Sequence, residues 1–210
     1  MADEECDQAE QFAVVDGQLV TEARSKVHRA VRQLASPNCN FRPSNGPEEI
    51  AGHAVINLLV IHNISLPPGQ FGGGYVEEFF QNKLMAKAHP FFQQIASLQV
   101  SAHLFICRAG GVTQFVNFKH RAWHAGESSY AGRANCNDFS IGIELEGTDE
   151  IAFTQAQYAS LVSVSLALGK TYPEITPAST TGHSDIAPGR KTDPGPCFDW
   201  HSYRTRWSGS

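Results

Sequence analysis

Apolar and polar positions alternate without a break in DFSIGIELEG (138–147), where Ile141, Ile143 and Leu145 fall on one face and Gly142, Glu144 and Glu146 on the other. A period of two predicts a strand with one face on a core. The opposite face then carries two carboxylates beside a glycine that leaves room for something to approach. VINLLVIH (55–62) is a short branched apolar run, which predicts a buried strand delivering His62 at its C-terminal end. VSAHLFIC (100–107) and GVTQFVNF (111–118) flank Ala109-Gly110-Gly111, predicting two strands joined by a tight turn.

Helical spacing is clearest in TQAQYASLVSVSLALGKTYP (154–173), where Tyr158, Leu161, Val162 and Leu166 form a stripe and Thr154 with Gln157 forms a capping box. TEARSKVHRAVRQLA (21–35) repeats Val27, Ala30, Val31 and Leu34 at the same period and predicts a second helix. YVEEFFQNKL (75–84) and CFDWHSYRTRW (197–207) fit two short ones. SPNCNFRPSNGPEE (36–49) and SLPPGQFGGG (65–74) read as connecting loops. HSDIAPGRKTDPGP (183–196) has too few periodic apolar residues for helix or strand, and its prolines and glycines predict a fixed irregular path. Strands interleaved with helices imply an α/β fold, a central mixed β-sheet flanked by helices. Residues 1–16 read as an acidic tail and 17–210 as one domain.

Composition narrows the function. The chain of 210 residues, 41% hydrophobic and 18% charged, has the make-up of a globular protein with a real core. A formal net charge of −5 gives no electrostatic case for nucleic acid or an anionic membrane. No apolar run approaches the roughly 18 residues that a membrane span needs. MADEECDQAEQF (1–12) lacks a basic and an apolar leader region, so a cytoplasmic location is expected. The five cysteines, Cys6, Cys39, Cys107, Cys136 and Cys197, are odd in number and contain no C-x-x-C, which reads as reduced thiols.

The candidate chemistry gathers around the stiff loop. A catalytic zinc takes three His, Asp, Glu or Cys ligands and keeps one position open. His62, His183 and Asp193 supply such a set, although nine histidines allow many other triples and each histidine alone reads first as a hydrogen-bonded structural residue. Metal-assisted hydrolysis also needs a carboxylate to carry a proton, and Glu144 has the address for it, a solvated strand carboxylate being the competing view. Lys191, two residues before Asp193, is a candidate cation for a developing oxyanion, with an ordinary surface lysine as the alternative. His103, inside an apolar strand, reads as a satisfied core histidine; His124, beside Trp123, either lines a pocket or anchors a loop.

VIHNISLPPGQFGG (60–73), RAWHAGESSYAGR (121–133), CNDFSIGIELEGTD (136–149) and TGHSDIAPGRKTDPGPCFDW (181–200) together resemble the zinc-dependent N-acetylmuramoyl-L-alanine amidases, most closely the cytoplasmic AmpD-type branch that acts on 1,6-anhydro-muropeptides. The resemblance implies the zinc amidase, peptidoglycan-recognition-like fold and one Zn2+ held by His62, His183 and Asp193. It implies Glu144 as catalytic carboxylate and Lys191 as oxyanion-stabilising cation. Asn63, Trp123, Ala187 and Arg190 are implied to line the muropeptide groove, with Glu146 left in a supporting role. The implied reaction is hydrolysis of the amide between the lactyl group of N-acetylmuramic acid, in its 1,6-anhydro form, and L-alanine, in cell-wall recycling. A non-catalytic peptidoglycan-recognition module and an amidase of intact cell wall are the alternatives. Cytoplasmic relatives tend to carry arginines where this chain has Gln99 and Asn135, while Arg108, Arg133 and Arg190 remain.

Overall fold

The structure is a computed structural model that describes residues 11–21, 31–42 and 55–209. Its first strands are Phe12–Val15 (β1), Gln18–Thr21 (β2), Arg32–Gln33 (β3), Cys39–Phe41 (β4) and Leu58–Ile64 (β5). Helices Tyr75–Phe80 (α1) and Phe92–Ile95 (α2) precede Leu104–Ile106 (β6), Val112–Gln114 (β7), His120–Ala122 (β8), Ser129–Tyr130 (β9) and Arg133–Ala134 (β10). Strand Ser140–Glu146 (β11), helix Gln155–Thr171 (α3), strand Thr180–Gly182 (β12), and helices His183–Ile186 (α4) and Trp200–Ser208 (α5) complete the order. Six strands form one sheet in the order β12-β5-β11-β6-β7-β3. Neighbours run parallel except β6 and β7, so the sheet is mixed, as expected.

Alternation along the two central strands sorts their side chains. Leu59 and Ile61 of β5 join Ile141, Ile143 and Leu145 of β11 against Leu161, Val164 and Leu168 of α3 and Tyr203 of α5. Leu58 and Val60 point the other way, onto Ala125, Phe139 and Ile186. A period of two therefore sends His62 and Glu144 to this second face. The parallel register sets them directly opposite each other. A third apolar cluster, including Leu66, Phe79, Phe80, Phe92 and Phe105, supports the loop that follows β5.

Helix α3 begins as its sequence predicts. Gln157 N–H donates to Thr154 Oγ1 (3.1 Å) and Thr154 N–H to Gln157 Oε1 (3.0 Å). Gln157 Nε2 also donates to the carbonyl of Glu146 (2.9 Å), tying the helix start to the end of β11. The β6–β7 turn uses Gly110 at φ 81°, where a Cβ would stand 2.8 Å from the carbonyl oxygen of Ala156. His103 is fully buried and satisfied, with Nδ1 accepting from the Gly142 amide (3.0 Å) and Nε2 3.1 Å from the His120 carbonyl.

Three expectations need correction. The acidic tail does not extend to residue 16: Phe12–Val15 pairs antiparallel with Gln18–Thr21 and Phe12 enters the core, because Asp16 (φ 51°) and Gly17 (φ 77°) make a two-residue hairpin turn. The helix expected over 21–35 does not hold where it can be seen: Thr21 ends β2, and Arg32–Gln33 pairs with β7, while 22–30 lie outside the described residues. Here tertiary pairing overrides periodicity, since Gln33 Nε2 donates to the Leu19 carbonyl and to Gln114 Oε1 (both 3.2 Å). Finally, the 183–196 segment is not wholly irregular; it opens with one helical turn, in which Asp185 Oδ2 accepts from the Gly182 amide (3.0 Å).

Candidate metal centre and cleft

His62 arrives on β5, His183 on the first position of α4, and Asp193 at the far end of the loop that α4 opens. Their inward atoms form a near-equilateral triangle: His62 Nδ1 to His183 Nδ1 is 3.0 Å, and each Nδ1 is 3.1 Å from Asp193 Oδ2. A tetrahedral ion with ligands at about 2.0–2.1 Å holds them about 3.3 Å apart. Both rings are almost fully buried, at 1% and 3% exposure. Burial pushes the His62 imidazole down to about 4 despite the neighbouring Asp193 carboxylate, so the ring is neutral at physiological pH.

The outer nitrogens are already engaged. His183 Nε2 lies 3.1 Å from the Ala125 carbonyl, which only accepts, so this nitrogen carries a proton and Nδ1 is the atom turned inward. His62 Nε2 lies 2.9 Å from His124 Nδ1. Acceptor atoms turned inward at this spacing repel one another unless a cation sits among them. Two imidazole nitrogens and one carboxylate oxygen, with a side open to a cleft, make a donor set suited to a catalytic Zn2+.

Glu144 stands one strand away from His62 in register, and its Oε2 is buried with no hydrogen-bond partner among the described residues. Burial raises its carboxyl well above the ordinary value, the Asp193 carboxylate adds to this, and Lys191 offsets part of it. A carboxyl raised in this way holds a proton more strongly than an ordinary one, as a general base must. Lys191 is exposed on the wall of the same cleft, and its ammonium makes no ion pair or hydrogen bond among the described residues.

The cleft encloses about 460 Å³. Asn63 and Trp123 line it together with Glu144, His183, Lys191 and Asp193. Asn63 Nδ2 donates to Asp149 Oδ1 (2.7 Å), and Trp123 Nε1 to Asn40 Oδ1 (2.8 Å), so both present fixed faces. One end is apolar, walled by Leu66, Phe79, Phe80, Phe91 and Ile95. Ala187 and Arg190 are not part of this wall. Ala187 is buried, and Arg190 Nη2 donates to the carbonyls of Ala125 and Glu127 (both 2.6 Å). Glu146 also lies away from the metal centre: it accepts from the amides of Gly72 and Arg108, anchoring the glycine-rich loop to β11.

His124 has a larger role than its sequence context suggested. Its ring occupies the space beside Gly142, where a Cβ would come within 2.5 Å of the imidazole. The gap left by Gly142 on β11 is thus filled by the chain's own histidine. A lone glycine in a bulky strand is the signal that pointed there.

A profile described as N-acetylmuramoyl-L-alanine amidase matches residues 51–196. The chain is 55% identical over 172 residues to the 1,6-anhydro-N-acetylmuramyl-L-alanine amidase AmpD of Haemophilus influenzae, covering 82% of this chain and 89% of that one. It superposes on a crystal structure of a selenomethionine AmpD derivative with a TM-score of 0.76 and 51% identity, over 85% of this chain and 93% of the other. A structure of AmpDh3 from Pseudomonas aeruginosa in complex with anhydromuramic pentapeptide gives a TM-score of 0.55 at 27% identity, covering 78% and 65%.

Proposed function

Since the chain belongs to the N-acetylmuramoyl-L-alanine amidase family, we propose that its cleft hydrolyses the amide joining the lactyl group of 1,6-anhydro-N-acetylmuramic acid to L-alanine, with His62, His183 and Asp193 holding one Zn2+. The protein is an amidase of cell-wall recycling, and its substrate is a soluble anhydro-muropeptide. The inward triangle of ligand atoms beside a buried carboxyl whose Oε2 has no partner among the described residues is the observation that carries the site assignment. A cytoplasmic location belongs to the same reading; among the described residues no helix is long and apolar enough to cross a membrane.

When bound, zinc supplies Lewis acidity, making water acidic near neutral pH and polarising the amide carbonyl. Glu144 accepts the proton of the attacking water on its buried carboxyl, as the new carbon–oxygen bond forms. Lys191 offers its free ammonium to the oxygen that gains charge on the tetrahedral carbon. Glu144 then gives the proton to the alanine nitrogen as the carbon–nitrogen bond breaks, releasing a carboxylic acid and a free amine. Asn63 and Trp123 hold the muropeptide against this pair. Arg190 braces the Ala125 carbonyl through its Nη2.

The test is incubation of the protein with anhydro-muropeptide and, separately, with polymeric peptidoglycan, each with and without chelator. Release of stem peptide from the soluble substrate, abolished by chelator and restored by zinc, is expected. Binding without release would select the recognition module, and preferential attack on polymer would select the wall amidase. Release unaffected by complete removal of divalent ions would refute the metal assignment.

A further inference from the structure

Resting on the reading of His62, His183 and Asp193 as ligands, we propose that His124 and Ala125 form one positioning clamp, held by the side chain of Asn137, that fixes which nitrogen of both ligand histidines faces the metal and thereby sets metal affinity.

The proton positions follow link by link. The Ser140 hydroxyl donates to the Cys136 carbonyl at 2.6 Å. Its one proton is thereby used, so at its 3.1 Å contact with His124 Nε2 the oxygen accepts, and His124 carries its hydrogen on Nε2. His124 is buried, with no carboxylate among its hydrogen-bond partners in the described residues, and its Nδ1 is left as an acceptor. At 2.9 Å that acceptor requires the hydrogen of His62 to be on Nε2. His62 Nδ1 is therefore bare and directed at His183 and Asp193. The next residue does the same for the second ring through its backbone, because the Ala125 carbonyl receives His183 Nε2–H at 3.1 Å.

Two adjacent residues thus orient both imidazoles, one by a side chain and one by a carbonyl. One side-chain atom takes the backbone amides of both. Asn137 Oδ1 accepts the amide of His124 at 3.1 Å and that of Ala125 at 2.8 Å, and Asn137 is 5% exposed. Gly142 leaves the room that the His124 ring needs. Outer hydrogen bonds of this kind typically change metal affinity by about 10–100-fold when removed, because a ring free to turn or change tautomer binds less well.

Zinc affinity is measured on the full chain by competition with a chelator of known strength, for the parent, His124→Leu, His124→Asn and Asn137→Leu. His124→Leu and Asn137→Leu should each weaken zinc by about 10–100-fold. His124→Asn, whose side-chain oxygen can take the place of Nδ1, should recover most of the loss. Independently, ring nitrogen-15 spectra of the zinc-loaded parent should show protonated Nε2 and ligated Nδ1 on both His62 and His183. Ligation through Nε2 in either ring, parental affinity in His124→Leu, or an Asn variant as weak as the Leu variant would each overturn the clamp. A parent that binds no zinc would instead overturn the functional reading on which the clamp rests. The two failures are therefore distinguishable, and the spectra need no variant to fold.

Discussion

Replacing Glu144 with glutamine should push activity and stability in opposite directions. The exchange keeps the shape of the side chain but removes the group that takes and returns the proton. General acid–base catalysis contributes about 10²–10⁴ in rate, so turnover should fall by that factor, equivalent to about 2.7–5.5 kcal/mol of barrier. Zinc should remain bound, because Glu144 is not one of the three converging atoms. For stability, Glu144 Oε2 is a buried oxygen with no partner among the described residues. Such a group costs about 1–3 kcal/mol, and a neutral amide relieves the charged part of it.

The sign with pH follows from the raised folded-state value of the carboxyl. The folded chain keeps the Glu144 proton to higher pH than the unfolded chain, so the favourable contribution is complete below the ordinary value near 4.5 and is lost as pH climbs through the folded-state value. The glutamine variant has no such loss. In chelated protein its advantage over the parent should be negligible in acid and widen on the alkaline side. For a chain of this size each kcal/mol moves Tm by about 2–4 °C. Urea denaturation across a pH series, paired with single-turnover cleavage and zinc content, reads all three quantities. Parental turnover in Glu144→Gln, or a stability gap that does not change with pH, would refute the reasoning.

Asp193→Ala should purify without stoichiometric zinc, since it removes the one carboxylate corner of the triangle and leaves two imidazole nitrogens; elemental analysis checks this. Lys191→Met should retain zinc and lower kcat by about 10²–10³, measured under saturating substrate, because it removes a charge aimed at the developing oxyanion. Gly142→Ala should destabilise the fold by about 1–3 kcal/mol in urea titration, because the added Cβ meets the His124 ring at 2.5 Å, well inside ordinary contact.

The parts legible in sequence were those whose cause is local. The alternation of 138–147 placed Ile141, Ile143 and Leu145 on the α3 core and Glu144 on the opposite face, and the Thr154–Gln157 box marked the helix start. Glu144 facing the cleft beside His62 needed one further fact, the parallel register, which no single segment contains. Arg32–Gln33 was misread because its strand state is imposed by β7 and by side-chain amides distant in sequence. Arg190, which the resemblance implies at the groove, is exposed and donates to the carbonyls of Ala125 and Glu127, 65 and 63 positions away, partners that the loop's own sequence does not reveal. The contact between His124 and His62 joins residues 62 positions apart and left only Gly142 as a trace in the pattern.

The hairpin at the amino end has a practical bearing on any shortened version of this amidase. Its composition invites a cut at Gly17, yet that would discard Phe12 together with the apolar volume it fills, and strip β2 of the strand it pairs with. Phe12 itself opens the β1–β2 ladder, paired with Thr21. Trimming for crystals or for a fusion partner therefore has a physical limit, and the limit is an aromatic side chain rather than the end of a run of acids.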